Sequence, residues 1–212
     1  MTTAAPAATN VIHMARRKPR YSQGEEALTP DELLAVLKAA RHRSARDWAM
    51  ILIAYGHGYR AAEICALRLD DIKDGAITTP RLKGSLKTVQ PLYEHRGQPL
   101  LDETKALKAY LAERVKDGSP FVFVSRKGGD LHPSQFFRVF QRIAKSVGLP
   151  REKCHPHVLK HSLASHLIAR NTNLALVRQA LGHRSINSTM KYVRVTDEQA
   201  ANAVRSALME TF

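Results

Sequence analysis

The 212-residue chain is long enough for one sizeable core, and its composition, 44% hydrophobic and 25% charged, is that of a globular protein. Its 33 Lys and Arg against 19 Asp and Glu give a formal net charge of +14, which favours a polyanionic partner such as nucleic acid or an anionic membrane surface. No apolar run approaches the roughly 18 residues of a membrane-spanning helix, the N-terminus lacks a signal-peptide apolar stretch, and two cysteines are too few for a disulfide scaffold. Composition therefore disfavours membrane and secreted classes and indicates a cytoplasmic protein that binds nucleic acid.

The chain is predicted to begin with a flexible basic arm over residues 1–27. Met1–Asn10 is rich in alanine and threonine, and a dense basic cluster follows it. The cluster consists of Arg16, Arg17, Lys18 and Arg20. Such a segment is typical either of a solvated tail or of an arm that follows the DNA backbone.

The first elements after the arm are predicted to be helices. Thr29 is a good N-cap, Pro30 suits the first helical position, and Glu32 completes a capping box. A second helix is expected from about Ala45 to Tyr55, and a short third one begins near Ala61 after two glycines.

The middle of the chain changes to the two-residue period of strands. Ala76–Thr79 and Thr88–Gln90 are strand-like, and a turn around Lys83–Ser85 joins them. Flanking prolines predict a small, irregular sheet, because proline cannot donate to a ladder. The apolar run Phe121–Val124 is predicted to be one further buried strand.

The second half of the chain is predicted to be helical. The expected helical segments are Leu101–Arg114, a segment around Phe136–Val147, Val158–Arg170, Leu174–Leu181, Ser188–Val193 and Asp197–Met209. The last helix has an apolar stripe made of Ala200, Ala203, Val204, Ala207 and Leu208. The predicted fold class is therefore α+β, mostly α, with a small antiparallel sheet.

Several polar residues occur where amphipathic packing does not require them. They are Arg60 with Glu63 one helical turn later, Lys83 in the hairpin turn, His157 and Lys160 at a helix start, His183 after Leu181-Gly182, and Tyr192. Taken singly, each has an ordinary structural interpretation as a surface ion pair, a solvated turn, a helix-end residue or half-buried packing. Cys154, His155 and His157, together with His161, also suggest zinc, but the segment has one cysteine and no second pair at ligand spacing, so no metal site is predicted.

Taken together and in order, these residues resemble the tyrosine recombinase (phage integrase) family over about Leu28–Val195. That family has an arginine, a hairpin lysine, a His-x-x-Arg box, a Leu-Gly-His box and a tyrosine nucleophile. Tyr59–Leu67 looks like its first box, Pro156–Leu167 like its second and Leu176–Tyr192 like its last. The hairpin sequence and the short length look closest to the fimbrial inversion recombinases.

The resemblance implies a DNA-breaking and rejoining enzyme that needs no metal and no other cofactor. It implies that Tyr192 forms a 3′-phosphotyrosine and that Lys83 protonates the leaving 5′-oxygen. Arg60, His157, Lys160 and His183 would act on the phosphate, and Glu63 would orient local structure. The predicted DNA-binding residues are Arg16, Arg17, Lys18, Arg20 and Lys87.

The resemblance also implies a domain plan and partners. A catalytic domain over 28–195 follows the arm, and a C-terminal helix over 196–212 either packs on its own domain or docks on a neighbouring copy. The implied partners are double-stranded DNA and further copies of the chain, in a synaptic dimer or tetramer.

Two departures from the family pattern leave other functions open. Lys160 stands where the family has arginine, which keeps the charge but loses the bidentate fork. Only about 27 residues precede the catalytic-like region, too few for the additional N-terminal domain of many integrases. The alternatives are a recombinase-derived DNA-binding protein with weak or no catalysis, and topoisomerase IB-like nicking and resealing.

Overall fold

The computed structural model describes residues 27–79, 85–125, 127–193 and 197–211. The helices in these ranges are α1 (Pro30–Arg43), α2 (Ala45–Gly56), α3 (Ala61–Cys65), α4 (Glu103–Glu113), α5 (Pro133–Ser146), α6 (His157–Ala169), α7 (Leu174–Ala180), α8 (Asn187–Met190) and α9 (Asp197–Thr211). The strands are β1 (Ile72–Lys73), β2 (Ala76–Thr79) and β3 (Thr88–Pro91), in one antiparallel sheet of that order. No helix in the described ranges is long and apolar enough to span a membrane. The predicted α+β class, mostly α, is confirmed.

The start of α1 forms the capping box that the sequence predicted. Thr29 Oγ1 accepts from the Glu32 amide at 3.2 Å, and Glu32 Oε2 accepts from the Thr29 amide at 2.7 Å. Lys153 Nζ also donates to Glu32 Oε2 at 2.7 Å. The first helix is therefore tied to the segment that precedes α6.

α2 is the central helix of the main core. All residues from Asp47 to Ala54 are buried, and α1, α4 and α6 pack against this helix. Trp48 Nε1 donates to the Leu100 carbonyl at 3.0 Å, which satisfies its polar atom inside the core. A helix that is apolar nearly all round requires neighbours on every side, and this layout supplies them.

The sheet follows the predicted strands. Ile77 pairs with Gln90 and Thr79 pairs with Thr88, so β2 and β3 form a hairpin. Ile77 is fully buried and attaches the sheet to the core. The predicted turn around Lys83 falls mostly within residues 80–84, which lie outside the described residues.

The prediction of a strand at Phe121–Val124 is wrong. This run makes only isolated bridges, between Arg68 and Phe121 and between Val124 and Asp130. Its carbonyls are taken by a side chain instead of a ladder: the Arg114 guanidinium donates to the Phe121 and Val122 carbonyls at 2.8 and 3.1 Å. Burial of the apolar side chains is therefore achieved without strand pairing.

The predicted helices after Gly129 all form, with shifted ends. The segment predicted at Ser188–Val193 is helical only over α8, because it continues as turns toward Tyr192. A smaller apolar cluster, separate from the main core, consists of Ala164, Val177 and Leu181 with Leu163, Leu167, Ile168 and Tyr192 packed against it. In α9, Val204 and Leu208 of the predicted apolar stripe are 61% and 58% exposed.

Candidate active site

Arg60 lies at the N-terminus of α3, where Glu63 fixes both its backbone and its side chain. The Arg60 amide donates to Glu63 Oε2 at 2.9 Å, and Arg60 Nη1 donates to Glu63 Oε1 at 2.8 Å. Nη1 also donates to Ser85 Oγ at 3.0 Å. Glu63 is buried, whereas the Arg60 side chain is 34% exposed. The carboxylate thus orients a guanidinium that can still donate to a phosphate.

The turn before Arg60 lies against the end of α7. Gly58 has a φ of 59°, and a Cβ at this position would lie 2.9 Å from Leu181 Cδ2 and 3.3 Å from Leu163 Cδ2. Both the left-handed backbone and the close approach require glycine. This contact brings the Arg60 turn next to the segment that leads to His183.

The rings of His157, His161 and Tyr192 form a row. The His157 and His161 ring centroids are 4.3 Å apart, and the His161 and Tyr192 centroids are 5.4 Å apart. The first contact arises because residues four apart lie on the same helix face. His161 is not among the catalytic residues predicted from the sequence, and its position four residues after His157 was the available signal for its place in the row.

Burial and positive charge lower the pKa values of both histidines. Burial, followed by the charges of Lys160, His155 and Arg60, lowers the pKa of His157 to about 4, although the residue still reaches the surface. Burial and repulsion from its histidine and lysine neighbours lower the pKa of His161 to about 3. A neutral His157 can accept a proton at one ring nitrogen and donate from the other.

Lys160 lies beneath the site rather than at its surface. The residue is 1% exposed, and its Nζ donates to the Leu181 carbonyl at 2.7 Å. Such a partner is needed because burial otherwise disfavours the charged form of an ammonium. Direct contact between Lys160 and phosphate stays a prediction, since this hydrogen bond goes to the backbone.

The backbone before His183 is held at three successive carbonyls, which we call the carbonyl segment (Ala180–Gly182). The bonds are Gln90 Nε2 to Ala180 O (3.3 Å), Lys160 Nζ to Leu181 O (2.7 Å) and the Leu86 amide to Gly182 O (3.1 Å). His183 itself is buried, with Nδ1 2.9 Å from Thr189 Oγ1. Carbonyls at a helix end lack intrahelical donors, and here three different parts of the chain supply them.

The structure brings together Glu63 and all the predicted catalytic residues except Lys83. Direct contacts and electrostatic interactions link Arg60, Glu63, His157, Lys160, His183 and Tyr192. The predicted residues outside the described ranges are Lys83, Arg16, Arg17, Lys18 and Arg20. Lys87 is described and exposed, directly before β3.

The zinc interpretation fits the described residues poorly. Cys154 is buried, and its Sγ donates to the Leu149 and Pro150 carbonyls at 3.4 and 3.3 Å. Within the described ranges, no group of three or more His, Cys, Asp and Glu side chains could hold a metal ion.

Sequence reasoning missed a basic cleft of about 390 Å³ at the start of α2. Its cationic lining consists of Arg43, Arg46, Lys127, Arg138 and Arg142. Asp47, fully buried, accepts from Arg43 Nε at 2.7 Å and from Arg46 Nη2 at 3.0 Å, which offsets part of this charge. The helical spacing of Arg138 and Arg142 on α5 was the available sequence signal.

Comparisons with known proteins agree on one family. A sequence model of the phage integrase family matches residues 26–199. Tyrosine recombinase XerA of Pyrococcus furiosus is 33% identical over 187 residues, which cover 86% of this chain and 62% of that protein. Type 1 fimbriae regulatory protein FimB of Escherichia coli K12 is 37% identical over 172 residues, which cover 78% of this chain and 82% of that protein. The chain thus spans less than two thirds of XerA but most of FimB.

Solved structures share the fold. XerH site-specific recombinase, bound to its difH substrate in a pre-cleavage complex, matches with a TM-score of 0.71 at 26% identity, over 84% of this chain and 53% of that one. A lambda integrase tetramer bound to a Holliday junction matches with a TM-score of 0.60 at 23% identity, over 80% of this chain and 49% of that one.

Proposed function

The chain belongs to the phage integrase family, and we propose that it is a site-specific recombinase that cleaves and rejoins DNA through a 3′-phosphotyrosine intermediate. The observation that carries the proposal is the 5.4 Å ring contact of Tyr192 with His161, which joins the tyrosine to His157 and the Arg60 turn. Phosphoryl transfer needs a positioned nucleophile and fixed positive charge, and this cluster offers both.

The proposed chemistry balances without a metal ion or ATP. The Tyr192 oxygen attacks the scissile phosphorus while the bond from phosphorus to the 5′-oxygen breaks. A neutral histidine, either His157 or His183, accepts the phenolic proton, Lys83 gives a proton to the 5′-oxygen, and Arg60 donates to the non-bridging oxygens. The phosphotyrosine retains the energy of the broken bond, so attack by a 5′-hydroxyl rejoins a strand.

Lys160 contributes positive charge from below in this scheme. Its Nζ lies against the carbonyl segment, which leads directly to His183. A buried charge acts on the transition state through a medium that screens it less than water does.

The proposed DNA surface extends beyond the cluster. The basic cleft, exposed Lys87 and the arm over residues 1–27 place positive charge along the chain, in line with the net charge of +14. Contacts between these cations and phosphates release counterions, so binding should weaken steeply with salt.

The proposed assembly is a synaptic dimer or tetramer on double-stranded DNA. XerH is bound to difH, and lambda integrase forms a tetramer on a Holliday junction. In the proposed plan, residues 28–195 form the catalytic domain and α9, with its exposed Val204 and Leu208, docks on a neighbouring copy. A truncation before Asp197 should reduce assembly on DNA, and unchanged assembly would contradict this docking.

The test of the proposed function is a covalent protein–DNA complex. The full chain selects duplexes from a random library, and the enriched site is then prepared with a nick that releases the cleaved fragment. We expect an adduct that resists denaturation, forms with EDTA and without ATP, and is lost in Tyr192→Phe. The matched variant Tyr93→Phe removes a phenolic hydroxyl outside the cluster and should retain the adduct.

The same substrates separate the alternatives. Binding with no adduct supports a DNA-binding protein without catalysis. Relaxation of supercoiled DNA with no product from two sites supports the topoisomerase-like activity. Recombinant product from two sites supports the recombinase.

A further inference from the structure

A chain of hydrogen-bonded polar side chains continues inward from the carbonyl segment. Gln90, whose Nε2 donates to Ala180 O, has its Oε1 3.1 Å from His57 Nδ1. His57 Nε2 in turn lies 3.1 Å from Glu103 Oε2. His57 is 0% exposed and Glu103 is 1% exposed. These three residues, which we call the buried polar chain (Glu103 and His57, both buried, and Gln90, half-buried), therefore connect α4 to the end of α7.

The hydrogen-bond directions along the buried polar chain are determined. The Ala180 carbonyl can only accept, so the amide N–H of Gln90 points toward it and Gln90 Oε1 points toward His57. His57 then has an oxygen near each ring nitrogen, with Gln90 Oε1 3.1 Å from Nδ1 and Glu103 Oε2 3.1 Å from Nε2. Because these hydrogen bonds link three side chains to one backbone carbonyl, they restrict movement of the carbonyl segment.

Core packing alone does not explain why polar groups occupy these positions. Apolar residues of similar volume often replace a buried ion pair at no cost in stability. The two backbone segments that the buried polar chain contacts indicate its role. Gln90 holds a carbonyl three residues before His183, while His57 lies three residues before Arg60 and stacks on Tyr59 with ring centroids 5.5 Å apart. The buried polar chain thus joins the backbone segments that carry two proposed phosphate ligands, His183 and Arg60.

We propose that Gln90 and His57 are positioning residues for DNA cleavage. The buried polar chain fixes the carbonyl segment, and with it the placement of His183 relative to Arg60. This inference rests on the proposed function for its catalytic consequence. Its structural part concerns the DNA-free protein and is measurable by itself.

The decisive variant is Gln90→Glu in the full chain. It keeps an oxygen toward His57 but replaces the N–H that Ala180 O requires with a second oxygen. Gln98→Glu, before α4 and outside the buried polar chain, introduces the same charge as a matched control. Gln90→Met removes the hydrogen bonds to Ala180 O and to His57 without adding charge, and it carries the same predictions if Gln90→Glu does not fold.

The first measurement is amide hydrogen exchange without DNA. The reporters are the amides of Leu86, bound to Gly182 O, and of His183, bound to Arg178 O at 2.9 Å. Loss of one hydrogen bond should accelerate their exchange roughly fivefold to tenfold, with no change at Ile51 in the middle of α2. Global destabilisation would instead accelerate exchange at all three amides.

The second measurement is the single-turnover rate of adduct formation on the selected site, at saturating protein. Gln90→Glu should slow it by at least about tenfold with unchanged DNA affinity, whereas Gln98→Glu should match wild type. Unchanged exchange at Leu86 and His183 overturns the inference, and so does faster exchange with an unchanged adduct rate. If the wild-type protein forms no Tyr192-dependent adduct, the proposed function is refuted instead. The hydrogen-exchange result then decides by itself whether the buried polar chain holds the carbonyl segment.

Discussion

Gly56→Ala should destabilise the fold strongly, although alanine is ordinarily the better helix former. Gly56 is the last residue of α2, and a Cβ there would lie 2.1 Å from Glu103 Oε1 and 3.2 Å from Glu103 Cδ. Glu103 is buried, and Oε1 has no hydrogen-bond partner among the residues that the structure describes. The carboxylate must therefore move, which disturbs the bonds that Oε2 makes with His57 Nε2 at 3.1 Å and with the Tyr93 amide at 3.0 Å.

The size of the effect follows from these two bonds. Hydrogen bonds to a charged group contribute about 1.5–3 kcal/mol each to the free energy of unfolding. Replacing glycine by alanine in a helix raises the free energy of unfolding by up to about 1 kcal/mol. The expected net loss in the free energy of unfolding is therefore about 3 kcal/mol. In the Glu103→Ala background the clash is absent, so the same substitution should cost nothing.

Urea denaturation followed by fluorescence measures this loss, because Trp48 is the one tryptophan of the sequence and lies in the core. Gly97→Ala is the matched control, since a Cβ there would lie 3.7 Å from His95 Cε1, an ordinary van der Waals contact, and it should stay within about 0.5 kcal/mol of wild type. A Gly56→Ala protein as stable as wild type, or an equal loss in the Glu103→Ala background, would refute the reasoning.

Three further predictions concern pH, the lysine beneath the site and the basic cleft. Because the pKa of His161 is about 3 when folded and about 6.5 when unfolded, lowering the pH from 6.5 to 4 protonates His161 mainly in the unfolded chain, which should remove on the order of 3 kcal/mol of stability. His161→Asn should reduce the pH dependence in urea titrations and leave the part due to His157, whose pKa is about 4. Lys160→Arg should preserve or raise the rate of adduct formation, and a large loss would show that the buried site is built around lysine. Arg142→Ala should lower DNA affinity and reduce the slope of log affinity against log salt by about 1, whereas Lys108→Ala on α4 should change neither.

Much of the fold could be predicted because its signals are local. The box between Thr29 and Glu32 spans three residues, and the hairpin strands carry their own alternation and flanking prolines. The strand prediction for Phe121–Val124 was wrong because a short apolar run indicates that its side chains are buried, but not which group forms hydrogen bonds with its backbone. That partner is the Arg114 guanidinium, which sequence periodicity does not register.

In the candidate site, too, local sequence features could be predicted and long-range contacts could not. The identity and order of Arg60, His157, His183 and Tyr192 could be predicted because the motif spacing is read along the chain. The burial of Lys160 could not, since its acceptor is 21 residues away, and Gln90 meets Ala180 across 90 residues. Contacts of that kind depend on how α6, α7 and β3 pack, and this packing cannot be derived from a single sequence.

The length of α2, the central helix, sets the distance between two proposed DNA contacts. Arg46 of the basic cleft lies in the first turn of α2, and Gly56 is its last residue, so the helix axis separates the cleft from the Arg60 turn by about 15 Å. That distance corresponds to roughly four or five base pairs of duplex. Because α2 is buried on nearly all sides, its length cannot change without rotating the residues beyond it by about 100° per inserted residue. The interval between the bases near the cleft and the cleaved phosphate is therefore expected to be invariant among target sites, even where their sequences differ.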